Sequence, residues 1–217
     1  MPAARRNPVR KTPQEKYEEM SLYEEAARTE GALHIAGMDE AGRGPLAGPV
    51  VAAAVILDPE QPIWGVDDSK KLSPARRAVL RREIEEKALA IGVGMADVAT
   101  IDRINILEAT KLAMRRAVAA LKLKPDVLLI DAVRLGLPDI EEKAIIKGDT
   151  LSVSIAAASI IAKETRDDIL RVYDQMYPEY GFASHKGYGT KAHREAIAQY
   201  GILPIHRRSV VKKFLEE

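Results

Sequence analysis

No cysteine occurs in the 217 residues of this chain, and that absence removes thiol catalysis, thiolate zinc sites and disulfide staples together. A metal, if used, is held by oxygen or imidazole. Apolar runs long enough to span a membrane are lacking too, and the basic segment from Met1 to Lys11 has no apolar core of the kind a secretory signal needs. A soluble cytoplasmic protein with no membrane contact is the expectation. Charge of one sign is also missing: 33 Lys and Arg against 32 Asp and Glu leave a formal net charge of +1. The total is therefore silent on nucleic acid, and only the distribution of charge carries information. Basic clusters stand at Arg5 to Lys11, Lys70 to Arg82, Lys186 to Arg194 and His206 to Lys213, while acids gather between Glu15 and Glu30. Each cluster alone reads as a solvated helix face. There is no internal repeat, low-complexity stretch or inter-domain linker, and the 47% hydrophobic content is enough for one core.

Against these absences stands one junction rich in chemistry. An apolar, strand-like run from Leu33 to Met38 delivers Asp39 and Glu40 straight into Gly42-Arg43-Gly44-Pro45-Leu46-Ala47-Gly48. Glycine lets a backbone approach a ligand closely, so acids beside exposed amides point to a metal ion held against a phosphate. A polar β-turn is the plain alternative. Gly42, Gly44 and Ala47 also match the relaxed dinucleotide spacing. That motif, however, needs a helix to open at its third position, whereas Pro45 and Pro49 lead into Val50 to Leu57, a better strand. The two acids would also repel a pyrophosphate unless a cation stood between them.

Periodicity and cap chemistry lay out the rest. Thr12-Pro13 opens a polar helix running to about Thr29 ahead of Gly31, read as an appendage. Ser73-Pro74 starts a helix through roughly Ala88, and Ile91 to Val98 forms a third strand. One long helix is expected from Thr100 to about Leu121, with Pro125 beyond it. Val127 to Ile130 is wholly apolar, as strands buried on both faces are, and it ends in Asp131. Lys143 to Lys147 makes a weaker strand, Gly148-Asp149-Thr150 turns into a helix from Leu151 to about Met176, and Thr190 and Gly201 bound a helix over Lys191 to Gln199. This order indicates an α/β sandwich around a mixed sheet.

Asp131 at a strand end and Asp149 at a helix entry each have an ordinary reading as turn or cap. Taken with Asp39 and Glu40, they are four acids at the ends of separate elements that a single sheet could gather at one edge. Uncompensated carboxylates raise each other's pKa, and a divalent cation reverses this. An all-oxygen cluster suits Mg²⁺ or Mn²⁺ rather than zinc. Two such ions about 3.5 to 4 Å apart would clamp the attacking and leaving oxygens of phosphodiester hydrolysis.

The segments Gly37 to Val50, Asp68-Ser69-Lys70-Lys71-Leu72-Ser73, Lys147-Gly148-Asp149 with Ala156-Ala157-Ala158-Ser159-Ile160, and His185 to Thr190 resemble the signature blocks of bacterial ribonuclease HII. The resemblance covers roughly residues 31 to 210. It implies an RNase H-like fold, with a mixed central sheet flanked by helices, over residues 31–200. Residues 1–30 and 201–217 are then short helical extensions. It further implies an endoribonuclease that hydrolyses the RNA strand of RNA-DNA hybrids and nicks 5′ of ribonucleotides embedded in duplex DNA, leaving 3′-OH and 5′-phosphate ends. Asp39, Glu40, Asp131 and Asp149 match the family's catalytic acids, which hold two Mg²⁺ or Mn²⁺ ions. By position, Gly42, Arg43 and Gly44 resemble the loop whose backbone reads the ribose 2′-OH. Tyr188 matches the tyrosine that packs on the sugar at an RNA-to-DNA junction, and Lys70, Ser184 and Lys186 fall where phosphate contacts are expected. Without the resemblance Tyr188 is a surface aromatic, and His193 is a capping or packing histidine. Ala41 and Ala132 stand where the family typically has Val and Gly, and Asp67 where Asn is common; none of these removes a ligand. The expected partners are RNA-DNA hybrid and ribonucleotide-containing DNA, met by a monomer. A related nuclease cutting DNA that lacks ribose, and a non-catalytic nucleic-acid-binding module, are the rival readings.

Overall fold

β1 (Ile35–Ala41) lies at the middle of a five-stranded mixed sheet in the computed structural model, which describes residues 11–215 and side chains as far as Lys212. The basic stretch before Lys11 lies outside the described residues. On one side β1 pairs antiparallel with β2 (Val50–Ile56), which pairs antiparallel with β3 (Ala90–Ala96). On its other side β1 runs parallel to β4 (Val127–Asp131), and β4 runs parallel to the edge strand β5 (Glu141–Ile145). All seven residues of β2 are buried, since helices cover both faces of the sheet and leave no wet side to impose alternation.

Nine α-helices are present among the described residues: α1 (Pro13–Met20), α2 (Leu22–Thr29), α3 (Pro74–Lys87), α4 (Val98–Ile104), α5 (Ile106–Ala119), α6 (Val153–Met176), α7 (Phe182–His185), α8 (Lys191–Tyr200) and α9 (Arg208–Leu215). The expected caps are in place, with Thr12, Ser73 and Thr190 side chains accepting from the amides three residues on. One face of the sheet packs Met38, Val50, Leu128 and Ile130 against Met114 and its neighbours on α5. The other packs Ala53 and Val55 against Ile160 on α6 and Leu80 and Ile84 on α3. α6 comes so close to β1 that a Cβ on Gly37 would stand 2.0 Å from the Ser154 carbonyl carbon. A third cluster, around Leu46, Phe182, Ile197 and Val211, seats the C-terminal segment on the glycine-rich loop.

Several elements differ from expectation. The helix from Thr100 to Leu121 is in fact two, α4 and α5, because Asn105 sits at φ 68 and its side-chain oxygen caps the Leu107 and Glu108 amides. β3 stops at Ala96 because Asp97 caps α4 through the Thr100 amide. β5 lies two residues earlier than its apolar residues suggest, its polar positions being tolerated at a sheet edge. The polar N-terminal helix breaks at Ser21, and both halves pack inward, through Met20 of α1 and through Glu24 and Ala27 of α2, all buried. No helix among the described residues is long and apolar enough to cross a membrane.

Candidate active site

The parallel register pairs Met38 with Ile130, so Asp39 on β1 and Asp131 on β4 emerge side by side at one end of the sheet. Glu40 follows on β1. Asp149 arrives on a single 3₁₀ turn, Gly148–Thr150, and that turn is tied to β4 by the Gly148 amide donating to Asp131 Oδ1 at 2.8 Å. Two non-glycine residues with positive φ border these acids, Ala132 at 54° and Lys147 at 59°, a costly conformation of the kind found where structure is held for a purpose.

The electrostatics describe a place short of positive charge. Asp39 is only 5% exposed; burial first, then Glu40, Asp131 and Asp149, hold its carboxyl well above the usual carboxylate range. The Glu40 amide donates to Asp39 Oδ1 at 2.7 Å, and this only partly opposes the rise. Burial also raises Glu40 despite the Arg43 guanidinium 3.4 Å away, and among the described residues nothing hydrogen-bonds the buried Glu40 Oε2. Asp149 is raised by burial and by Asp68 and Asp131. Lys70 reaches within 3.9 Å of Asp149 Oδ2. Burial pulls its ammonium down, but Asp39, Asp68, Asp149 and Asp131 more than offset that and push it up. Among the described residues no three acidic or histidine side chains converge into a finished metal cage. Carboxylates with no cation between them repel, and a buried orphan oxygen beside protonation-prone acids is the donor set a hard divalent cation would satisfy.

Asp39, Glu40, Gly42, Arg43, Gly44, Lys70 and Tyr188 share one cleft of about 320 Å³. Asp131 and Asp149 line an adjoining depression, joined to the cleft through Lys70 and flanked by Lys71 and Lys147. Ser184 and Lys186 line neither; Ser184 is exposed on α7, and Lys186 turns at φ 52 with its carbonyl accepting from Arg166 Nη1 at 3.0 Å. Tyr188 is positioned by a chain of histidines. The Leu203 amide donates to His206 Nδ1, which makes His206 Nε2 the donor to His193 Nε2 at 3.0 Å and leaves His193 Nδ1 to donate to the Tyr188 carbonyl at 2.9 Å. Burial lowers both rings to about 4, so the chain is neutral.

Sequence reasoning missed Lys163 and Arg166, which also line the cleft from α6. Arg166 donates to the Ala47 and Pro49 carbonyls at 3.0 and 3.1 Å. A signal existed: Arg166 interrupts the buried helical stripe Ala158, Ala162, Leu170 at spacing four. A buried arginine in an apolar stripe must bind something.

The ribonuclease HII family model matches residues 36–214. The chain belongs to the ribonuclease HII family. It is 54% identical over 202 residues to ribonuclease HII of Clostridioides difficile (strain 630), covering 93% of this chain and 79% of that one. With ribonuclease HII of Acetivibrio thermocellus the identity is 58% over 200 residues, covering 92% and 78%. Among solved structures, ribonuclease H2 from Pyrococcus horikoshii OT3 superimposes with a TM-score of 0.68 at 32% identity, over 82% of this chain and 93% of that one. The fold is thus the RNase H-like α/β fold. The chain is a hydrolytic nuclease of the ribonuclease H type, a divalent-metal-dependent family acting on nucleic acid.

Proposed function

We propose that this ribonuclease HII hydrolyses the RNA strand of RNA-DNA hybrids and nicks duplex DNA on the 5′ side of an embedded ribonucleotide, leaving 3′-OH and 5′-phosphate, as a monomer using Mg²⁺ or Mn²⁺. The observation that carries this is a juxtaposition: four carboxylates from the ends of β1 and β4 and from the turn after β5 stand at one end of the sheet, beside a loop whose two glycines open its backbone to the cleft.

Asp39, Glu40, Asp131 and Asp149 are the residues that would hold the ions. When bound, two divalent ions supply Lewis-acid activation of water and stabilisation of the leaving oxygen. The chain's own residues do the rest. Burial and the neighbouring acids hold the carboxyls of Asp39, Glu40 and Asp149 above their ordinary range, so positive charge brought into the site favours their ionised forms. Arg43 and Lys70 provide cations at the cleft for the scissile phosphate and its neighbour. Lys186 and Ser184, outside the cleft, would meet backbone phosphates farther along the duplex. The main chain of Gly42, Arg43 and Gly44 binds the 2′-OH, the group that separates RNA from DNA, and the Tyr188 ring packs against the sugar. No side chain needs to act as a nucleophile.

Cleavage of matched duplexes containing zero, one and several ribonucleotides tests the reading. Nicking 5′ of a single ribonucleotide is expected, with the all-DNA duplex left intact. Comparable cutting of the all-DNA duplex would move the chain to the DNA-nuclease alternative.

A further inference from the structure

Arg207 stands just before α9, fully buried, and it touches a loop some 160 residues away in sequence. Among the described residues every one of its side-chain hydrogen bonds runs to a main-chain carbonyl of that loop. Nε donates to Gly48 O at 3.0 Å and Nη1 to Arg43 O at 2.8 Å, while Nη2 reaches Gly42 O at 2.5 Å, Gly48 O at 2.8 Å and Pro49 O at 3.3 Å. The backbone of the same segment adds a short antiparallel bridge, with the Arg207 amide on Leu46 O at 2.8 Å and the Gly48 amide on Ile205 O at 2.9 Å. A guanidinium buried on neutral carbonyls is expensive, because dipoles repay less of the lost hydration than a carboxylate does. Burial first, and the charge of Arg166 second, lower its pKa to about 10.

What this cost achieves follows from peptide geometry. A trans peptide is planar, so the carbonyl of one residue and the amide of the next point in opposite directions. Pinning the Gly42 and Arg43 carbonyls toward Arg207 therefore turns the Arg43 and Gly44 amides away from it. Among the described residues no main-chain acceptor takes up either amide, and both residues line the cleft beside Glu40 and Tyr188. Two glycines flanking a single residue would otherwise leave this segment free to turn its peptide planes. Donors that must meet one hydroxyl work best when their orientation is set beforehand.

We propose that Arg207 is a positioning residue for sugar selection: from outside the cleft, it fixes the direction of the Arg43 and Gly44 amides and so sets the preference for ribose over deoxyribose. The inference rests on the reading that this loop meets the 2′-OH. Arg207→Lys tests it, since lysine keeps the charge and the volume but not the planar fork that spans several carbonyls. Nicking of single-ribonucleotide and all-DNA duplexes is measured alongside binding of both duplexes in chelator. The expected result is a fall in the ribose-to-deoxyribose ratio of about 10- to 100-fold, with all-DNA binding within about twofold of the parent. A folded Arg207→Lys enzyme that keeps the parent's ratio overturns the proposal, even if its overall rate drops, because Arg207 would then serve stability alone. A parent that shows no ribose preference refutes the substrate reading instead. ¹⁵N relaxation of the unsubstituted protein decides the matter should the variant fail to fold. Order parameters of about 0.85 at Arg43 and Gly44 support a fixed loop, and values below about 0.6 overturn it.

Discussion

Gly42 and Gly44 flank the same arginine for different reasons. At Gly42 φ is +99°, and an added Cβ would stand 2.1 Å from Arg166 Nε and 2.8 Å from the Pro49 carbonyl oxygen, so the fold itself demands glycine. At Gly44 an added Cβ would meet only the Tyr188 ring edge, at an ordinary 3.7 Å. Gly42→Ala is therefore expected to cost about 2 to 4 kcal/mol, a drop of several degrees in melting temperature. Gly44→Ala should melt within about 2 °C of the parent, and its damage should show only in nicking at a ribonucleotide. Melting curves paired with the nicking assay check both, and normal nicking by Gly44→Ala would mean that no sugar approaches this loop closely. Asp39 is a liability of another kind. Its native pKa is raised, so the folded metal-free protein keeps a proton that the unfolded chain has lost, and stability is given up as pH rises from about 4 through the raised native value. Asp39→Asn removes that dependence. In chelator the variant should match the parent near pH 4 and gain on it steadily at higher pH, while nicking is abolished at every pH. Melting across about pH 4 to 8 makes the comparison.

At the scale of elements, α6 sets the positions around the site. Ser159 Oγ accepts from the Ser69 amide at 3.2 Å and so holds the turn that carries Lys70. Glu164 binds Arg77 Nε at 2.6 Å beneath it, and Arg166 holds the glycine-rich loop. The helix is itself fixed at its N-terminus by buried Glu24 of α2, whose Oε1 accepts from the Ser152 and Ser154 hydroxyls, each at 2.6 Å, and from the Ser154 amide at 3.0 Å. A carboxylate there also complements the helix dipole. Glu24→Ala should cost about 2 to 4 kcal/mol, since three buried donors lose their acceptor together, and lower the melting temperature by roughly 5 to 10 °C. A shift under about 1 °C would show that the Glu24 carboxylate adds nothing to the anchoring of α6. In the sequence, acid-rich residues between Glu15 and Glu30 read as a solvated face, because nothing local marks which one acid points inward. The split at Asn105 was closer to legible. Asparagine tolerates positive φ and caps well, and here it does both.

Over the whole molecule, the acids were legible because each ends an apolar run that must be a buried strand or leads into a helix, and a parallel neighbour brings such ends together. Of the arginines that hold the glycine-rich loop, Arg166 leaves a trace in its apolar stripe and Arg207 leaves none. Arg207 lies in the basic run His206 to Lys213, where composition predicts solvent, and only the fold returns that run to the loop. Function at this scale depends on placement of charge rather than on its total, which is +1. Arg43, Lys70 and Lys163 line the cleft, Lys71 and Lys147 line the depression beside it, and Lys186 stands apart from both. On the proposed reading a duplex is held by a few local contacts, each releasing about 0.9 counterion. Lys186→Ala should thus weaken binding of hybrid and all-DNA duplexes alike and make the slope of log K against log salt shallower by about one. Tyr188→Ala removes no charge but takes a half-exposed ring from the cleft. It should leave the salt slope unchanged and reduce cutting at an RNA-to-DNA junction more than cutting within a uniform hybrid. Fluorescence anisotropy over a salt series gives the slopes, and single-turnover cleavage of the two substrates gives the ratio. Equal losses on both substrates would reduce Tyr188 to a packing residue, its carbonyl held by His193 for the sake of the fold alone.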